Sequence, residues 1–203
     1  MIRAVFFDFG GVIGRLDRVE IRRMETRYGL PEGGLLQALY GTPEWNEAQV
    51  GRLPEVQWLE AVARKLDELA GRPIPGIREE WVQMWNHLDR DVLQLVARLK
   101  PSYKVGVLSN STLRLEKELL QANGIFDLFD AVVNSARVGV AKPDVRIYEI
   151  AARSVGVEPQ ACVHIDDLPH NVEGAREAGF SAVHYAGDYP ALERELRALG
   201  VDW

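Results

Sequence analysis

The chain has a single cysteine, Cys162, among 203 residues. Without a second thiol there is no disulfide framework, so stability has to come from a packed core. Cys162 itself sits in an apolar run and reads as a small buried hydrophobe rather than a nucleophile. Histidines are few, four in all. His164 and His184 fall in strand-like runs and read as core or edge residues; only His170 lies beside a carboxylate pair, where a site could use it. Basic runs are missing and the net charge is -6, which leaves nothing to collect the phosphates of a nucleic acid. No apolar stretch reaches the roughly 18 residues of a membrane span. The short apolar segment at the N-terminus is interrupted by Asp8, unlike a signal peptide. The expectation is a cytoplasmic protein with neither nucleic acid nor membrane as partner, acting as a monomer or homodimer.

What is present is ordered by period. Ala4-Val5-Phe6-Phe7 is a continuous apolar run that ends in Asp8-Phe9-Gly10-Gly11, which predicts a fully buried strand followed by a tight turn. Residues 17–29, 30–41, 53–70 and 77–87 then show apolar residues at helical spacing, with Leu59, Val62, Leu66 and Leu69 as one stripe. Thr42-Pro43 and residues 71–76 read as turns. Trp45, Trp58, Trp81 and Trp85 all fall in this region and read mainly as core. From Asp89 strands and helices alternate: helices over 91–100, 112–123, 143–155, 170–178 and 190–199, strands over 105–108, 131–134, 162–165 and 182–185. Such alternation predicts a doubly wound parallel sheet with helices on both faces, an α/β fold. The expected division is a Rossmann-like core of residues 1–14 and 89–203, with an all-α helical cap of residues 15–88 inserted after the first strand.

In an open parallel sheet ligands bind at the carboxyl ends of the strands. That edge collects Asp8, Ser109-Asn110 and Asp166-Asp167, and Lys142 opens the helix after the third strand. Each alone could cap a turn or helix. Together they are three carboxylates that repel one another unless a cation lies between them, and hard oxygen ligands suit Mg²⁺. A lysine and a hydroxyl complete a set suited to neutralising a phosphoryl group, with a carboxylate as the available nucleophile.

Phe7-Asp8-Phe9-Gly10-Gly11-Val12, Leu108-Ser109-Asn110, Lys142-Pro143-Asp144 with Ile147-Tyr148, and Ile165-Asp166-Asp167 with Asn171 and Gly174-Ala175 resemble, in order, the four motifs of the haloacid dehalogenase-like hydrolases. The helical insert matches the cap that these enzymes carry between the first and second motifs, here of the C1 kind. The resemblance implies that Asp8 is the nucleophile and forms an aspartyl-phosphate. Lys142 would hold both nucleophile and phosphate, while Ser109, Asn110 and Gly11 would contact phosphate or substrate. Asp8, Asp167 and the backbone carbonyl of Gly10 would hold Mg²⁺, with Asp166 and Asn171 behind them.

One departure matters. Most family phosphatases place a second aspartate two residues after the nucleophile to protonate the leaving oxygen; this chain has Gly10 there. General acid help is worth about 10²–10⁴-fold. Either the substrate has a good leaving group, or another residue of the cap or post-nucleophile loop (Asp17 by proximity) replaces the acid, or the protein binds without turnover. The glycine form resembles a sub-group that includes sugar 1-phosphate phosphatases. The expected function is therefore a Mg²⁺-dependent phosphatase of a small phosphorylated metabolite. The alternatives are a 2-haloacid dehalogenase, which also lacks the second aspartate but has no use for two carboxylates beside its nucleophile, and a non-catalytic ligand-binding relative. Arg15, Tyr40 and Trp45 are the cap residues that could face substrate.

Overall fold

The structure, a computed structural model, describes residues 1–14, 17–76, 80 and 87–203. Arg15, Trp81, Trp85 and most of the helix expected over 77–87 lie outside the described residues. Five strands, β1 (Ala4–Phe7), β2 (Lys104–Ser109), β3 (Ala131–Asn134), β4 (Cys162–Asp166) and β5 (Ser181–His184), form one sheet in the order β3-β2-β1-β4-β5. Every pairing is parallel, as the alternation of elements predicts. All four residues of β1 are buried, because the strand is central and covered on both faces. Its side chains alternate between two cores: Val5 and Phe7 join one, Ala4 and Phe6 the other.

Register decides what meets at the sheet edge. Phe7 lies opposite Val107 and Ile165, so Asp8 emerges level with Leu108 on one side and Asp166 on the other. The Asp8 amide donates to the Ile165 carbonyl at 2.9 Å, which extends the ladder one residue and fixes where the carboxylate leaves the sheet. Strand order reverses beside β1, the topological switch point of an open α/β sheet.

Among the described residues four helices precede the return to the sheet: α1 (Arg18–Tyr28), α2 (Gly34–Tyr40), α3 (Pro43–Ala48) and α4 (Glu55–Ala70). They pack on one another through buried faces such as Trp58, Leu59, Val62 and Leu66 of α4. α1 is capped by the Asp17 carboxylate, which accepts from the Val19 and Glu20 amides at 2.9 and 3.1 Å. Two details differ from the sequence pattern. The segment over 30–41 is helical only from Gly34, because Pro31 and left-handed Gly33 hold the chain in a turn first. Thr42-Pro43, expected as a turn, starts α3, with proline in the first helical position where its missing N–H costs nothing.

The remaining helices are α5 (Arg90–Leu99), α6 (Ser135–Val138), α7 (Val145–Ser154), α8 (Pro169–Glu177) and α9 (Tyr189–Ala198). The helix expected from Pro143 begins at Val145, because the Asp144 carboxylate caps it by accepting from the Arg146 amide. Within the segment expected as an α-helix over 112–123, Leu115–Gln121 forms a wider π-type turn. There the Ala122 amide bonds the Lys117 carbonyl, five residues back, at 3.1 Å. Among the described residues no helix is long and apolar enough to cross a membrane.

The connections into and out of α1–α4 meet. Gly14 bridges to Gly10 on one side and antiparallel to Leu88 on the other, and the Asp89 amide donates to the Ile13 carbonyl at 2.8 Å. Asp89 is 3% exposed and caps α5, its Oδ1 accepting from the Asp91 and Val92 amides at 3.0 and 3.1 Å. Replacing a capping aspartate by alanine removes the partner of these helix-end donors. Asp89→Ala is expected to cost about 1–2 kcal/mol of stability in urea unfolding, with the slope m unchanged.

Candidate active site

β1, β2 and β4 deliver their polar ends to one point. Asp8 is 7% exposed; its Oδ1 accepts from the Phe9 amide at 2.6 Å and its carboxylate bonds the Ser109 hydroxyl at the end of β2. Lys142 reaches in from the loop before α7 with its side chain wholly buried. Its Nζ lies 3.1 Å from Asp8 Oδ1, 2.5 Å from Asp166 Oδ2 and 2.9 Å from the Leu108 carbonyl. The main chain of Lys142 is held by Asn110, whose Oδ1 accepts from the Lys142 amide at 2.8 Å while Nδ2 donates to its carbonyl at 2.9 Å. Asn110 thus fixes the lysine's position with both ends of its carboxamide, although it also borders the cavity described below.

The two neighbouring carboxylates of β4 play different parts. Asp166 is fully buried and saturated: besides Lys142 it meets His164 Nε2 at 2.9 Å, the Asn171 carboxamide at 3.0 and 3.2 Å and the Leu168 amide at 2.9 Å. Burial alone would raise its pKa, but the Lys142 ammonium and its hydrogen bonds outweigh that and hold it well below the usual carboxylate range. Asp167 is less buried and has no such partner. Burial and the charge of Asp166 push it up to about 6. Asp8 is likewise raised to about 6 by burial, against the pull of Lys142. One oxygen each of Asp8, Asp166 and Asp167 lie within 4.8 Å of one another.

Gly11 makes this crowding possible. Its φ is +76°, and a Cβ there would come within 2.3 Å of Asp167 Oδ2, so the loop after Asp8 can close on Asp167 only if it has no side chain. Residues Asp8 and Asp167 fit a hard divalent cation in donor chemistry, and Asn171 Oδ1 is a further buried oxygen with no partner among the described residues. With one ammonium against three carboxylates, a cation also answers the local charge.

The site opens into a cavity of about 510 Å³. Its floor includes Asp8, Gly10, Ser109, Lys142, Asp167 and Asn171, and the opposite wall comes from α1–α4: Arg18, Leu36, Tyr40, Trp45, Gln49 and Trp58. Tyr40 and Trp45 therefore do face the site. Asp17 does not line the cavity, since its carboxylate is the exposed cap of α1. His170 and Arg114 also border the cavity, the latter with no signal in the sequence beyond following Asn110 by four residues. His164 lies where a core residue was expected, yet its ring bonds Asp166 on one side and leaves Nδ1 without a partner among the described residues. Burial, with the Lys142 charge, lowers its pKa and keeps it neutral. Cys162 is buried with its thiol pushed up to about 12 by desolvation, which removes it from nucleophilic chemistry.

A parallel α/β sheet whose switch point presents a lysine-paired aspartate beneath a helical roof is here the setting of a hydrolase. The chain belongs to the haloacid dehalogenase-like hydrolases, whose family model matches residues 2–179. It is 32% identical to a phosphatase of Mycobacterium tuberculosis, over 98% of this chain and 95% of that one. Among solved structures it resembles the L-2-haloacid dehalogenase of Xanthobacter autotrophicus, with 28% identity, TM-score 0.69 and coverage of 98% and 83%. A second resemblance is to a haloacid dehalogenase family enzyme of Bacteroides thetaiotaomicron solved with magnesium and inorganic phosphate. At 21% identity, TM-score 0.68 and coverage of 93% and 96%, that likeness is one of fold.

Raised carboxylates leave a pH signature. Asp8 and Asp167 titrate near 6 when folded and near 4 when unfolded, so the folded protein binds more protons between those values. Without metal, their contribution to stability is full below about pH 4 and is lost as pH rises through 6. A divalent cation held by Asp8 and Asp167 would bind them ionised. The rise in melting temperature on adding MgCl₂ is expected to be several degrees at pH 7.5 and small at pH 5, measured by thermal shift at constant ionic strength. In Gly11→Ala the pH 7.5 rise is expected to vanish.

Proposed function

We propose that this protein is a Mg²⁺-dependent phosphatase that hydrolyses a small phosphomonoester through an aspartyl-phosphate on Asp8. The observation that carries the reading is the Lys142 ammonium 3.1 Å from Asp8 Oδ1, in a site where two more carboxylates approach the same point. An alkyl halide would gain nothing from Asp167, whereas a phosphoryl group brings negative oxygens that need a positive counterpart.

Each residue has a part that follows from its position. Lys142 lowers the cost of ionising a buried Asp8, and with a folded pKa of about 6 the carboxylate is a nucleophile at neutral pH. The same ammonium, with the Ser109 hydroxyl and the amides after β2, receives the phosphoryl oxygens. Asp166 and Asn110 keep Lys142 in place, one by charge and one through its main chain. Asp8, Asp167 and the Gly10 carbonyl would hold Mg²⁺, which supplies charge against the phosphoryl oxygens and shields Asp8 from repelling them. The roof of α1–α4 excludes bulk water and strengthens these interactions. Gly10 carries no acid, which favours substrates that leave easily, and sugar 1-phosphates are the class to test first.

The test is phosphate release from p-nitrophenyl phosphate and a panel of sugar 1-phosphates, with MgCl₂ or with EDTA. Turnover is expected with metal, with a fall of at least about 10³-fold in EDTA and in Asp8→Asn, whose amide is no nucleophile. Chloride release from 2-chloropropionate in the presence of EDTA, without any phosphate release, would assign the dehalogenase reaction instead. Ligand binding with neither product would assign a binding protein.

A further inference from the structure

The sequence has six tyrosines, and five have their hydroxyls engaged. Tyr28 donates to Glu80 at 2.7 Å, Tyr148 to the Asn171 carbonyl at 2.7 Å, Tyr189 to Glu193 at 2.9 Å and Tyr185 to Asp89 at 3.4 Å, while Tyr103 accepts from the Asp202 amide at 2.9 Å. Tyr40 is different. Among the described residues its hydroxyl makes no hydrogen bond, and it is the tyrosine that lines the cavity with Asp8. Desolvated tyrosine hydroxyls ordinarily find a partner. A hydroxyl left open at a site wall is one that a ligand can use.

Its position is set by aromatic packing instead. The Tyr40 ring stands edge-on to Trp45, with centroids 5.1 Å apart and planes at 74°, and Trp45 packs on Trp58 at 5.1 Å. Trp58 in turn is anchored by donating Nε1 to the Leu39 carbonyl at 2.9 Å. This stack holds the phenol rigidly at the end of α2 while leaving its O–H free to choose a partner. Burial, with the nearby charges of Asp8 and Asp167, outweighs Arg114 and raises the phenol above its ordinary pKa. At neutral pH the group is a donor. Of the cavity residues supplied by α1–α4, none is a carboxylate, so among the described residues this wall has no ordinary acid to offset Gly10.

We propose that the Tyr40 hydroxyl donates a hydrogen bond to the ester oxygen of the leaving group during phosphoryl transfer to Asp8, at the place left without an acid by Gly10. The inference rests on the phosphatase reading. An Asp8 oxygen forms the new bond to phosphorus, the ester P–O bond breaks, and its electron pair stays on the departing oxygen. Tyr40 keeps its proton and shares it with that oxygen as negative charge grows; the alcohol takes its final proton from water. Arg114, 8% exposed and bordering the same cavity, adds positive charge to this end of the site. A donor aimed at charge that develops only in the transition state acts on kcat rather than on KM.

Tyr40→Phe keeps the ring and its packing and removes only the donor. The readout is the ratio of kcat on an alkyl or sugar phosphate to kcat on p-nitrophenyl phosphate, whose nitrophenolate departs without help. In the variant this ratio is expected to fall about 10²-fold with KM little changed, the order of loss for one such donor. In wild type the rate is expected to vary weakly with leaving-group basicity across a series of aryl and alkyl phosphates, and steeply in Tyr40→Phe. A ratio that does not move, in a variant with wild-type circular dichroism and an active wild-type enzyme beside it, overturns the inference alone. A wild-type enzyme inactive on every phosphate with MgCl₂ overturns the phosphatase reading and this inference with it.

Discussion

The ion pair between Lys142 and the carboxylates around it is the contact on which the site depends. A wholly buried ammonium is costly unless it is paired and hydrogen-bonded on every side. Here Nζ has three acceptors, Asp8, Asp166 and the Leu108 carbonyl. Burial would lower the lysine's pKa, yet Asp8 and Asp166 outweigh it and raise it, so the charge is fixed. Fixing it divides the labour of the two aspartates. Asp166 takes the closer contact and is saturated by His164, Asn171 and a backbone amide, so it serves to hold the lysine. Asp8 takes the longer contact and also lines the cavity.

The sheet makes that division possible. β1 and β4 are adjacent and in parallel register, so residues that follow equivalent positions of the two strands emerge together. Asp8 and Asp166 are therefore level by construction, and Asp167 extends one residue beyond. A one-residue slip of either strand would send one carboxylate into the sheet's opposite core. The all-apolar side chains of β1 hold the register from both faces, which is why a strand of four residues can fix where Asp8 leaves the sheet.

Much of this was legible in the sequence because each strand ends in a polar residue that its apolar run does not need. The parallel sheet followed from the alternation of strands and helices, and Asp8, Ser109, Lys142, Asp166 and Asp167 could be gathered on one edge without any coordinates. What stayed hidden was direction. Asn110 reads as a ligand for phosphate, yet its two ends are bonded to the main chain of Lys142, a pairing across thirty-two residues that no local pattern reports. Asp17 reads as a nearby acid, yet it caps α1, because an aspartate just before a helix is held by the amides of the first turn. Gly11 reads as part of a tight turn that could contact phosphate; that its missing side chain is also room for Asp167 depends on a residue 156 positions away. Arg114 carries no local signal beyond following Asn110 by four residues, and the structure brings it to the cavity from the segment just before the wide turn at Leu115–Gln121.

The cavity unites these features in a gradient of character. Its floor is charged and crowded, with one ammonium set among three carboxylates. Its roof is aromatic, from Tyr40, Trp45 and Trp58, with amides at Asn46 and Gln49 and guanidinium groups at Arg18 and Arg114 toward its edges. Aromatic faces bind the apolar side of a ring, while amides and guanidinium groups take hydroxyls or a second anionic group. Among the described residues α1–α4 bring no carboxylate to this wall, where a negative charge would raise Asp8 and Asp167 further. The carboxylates stay at the sheet edge, where register holds them fixed, while the roof offers aromatic faces and hydrogen-bonding groups.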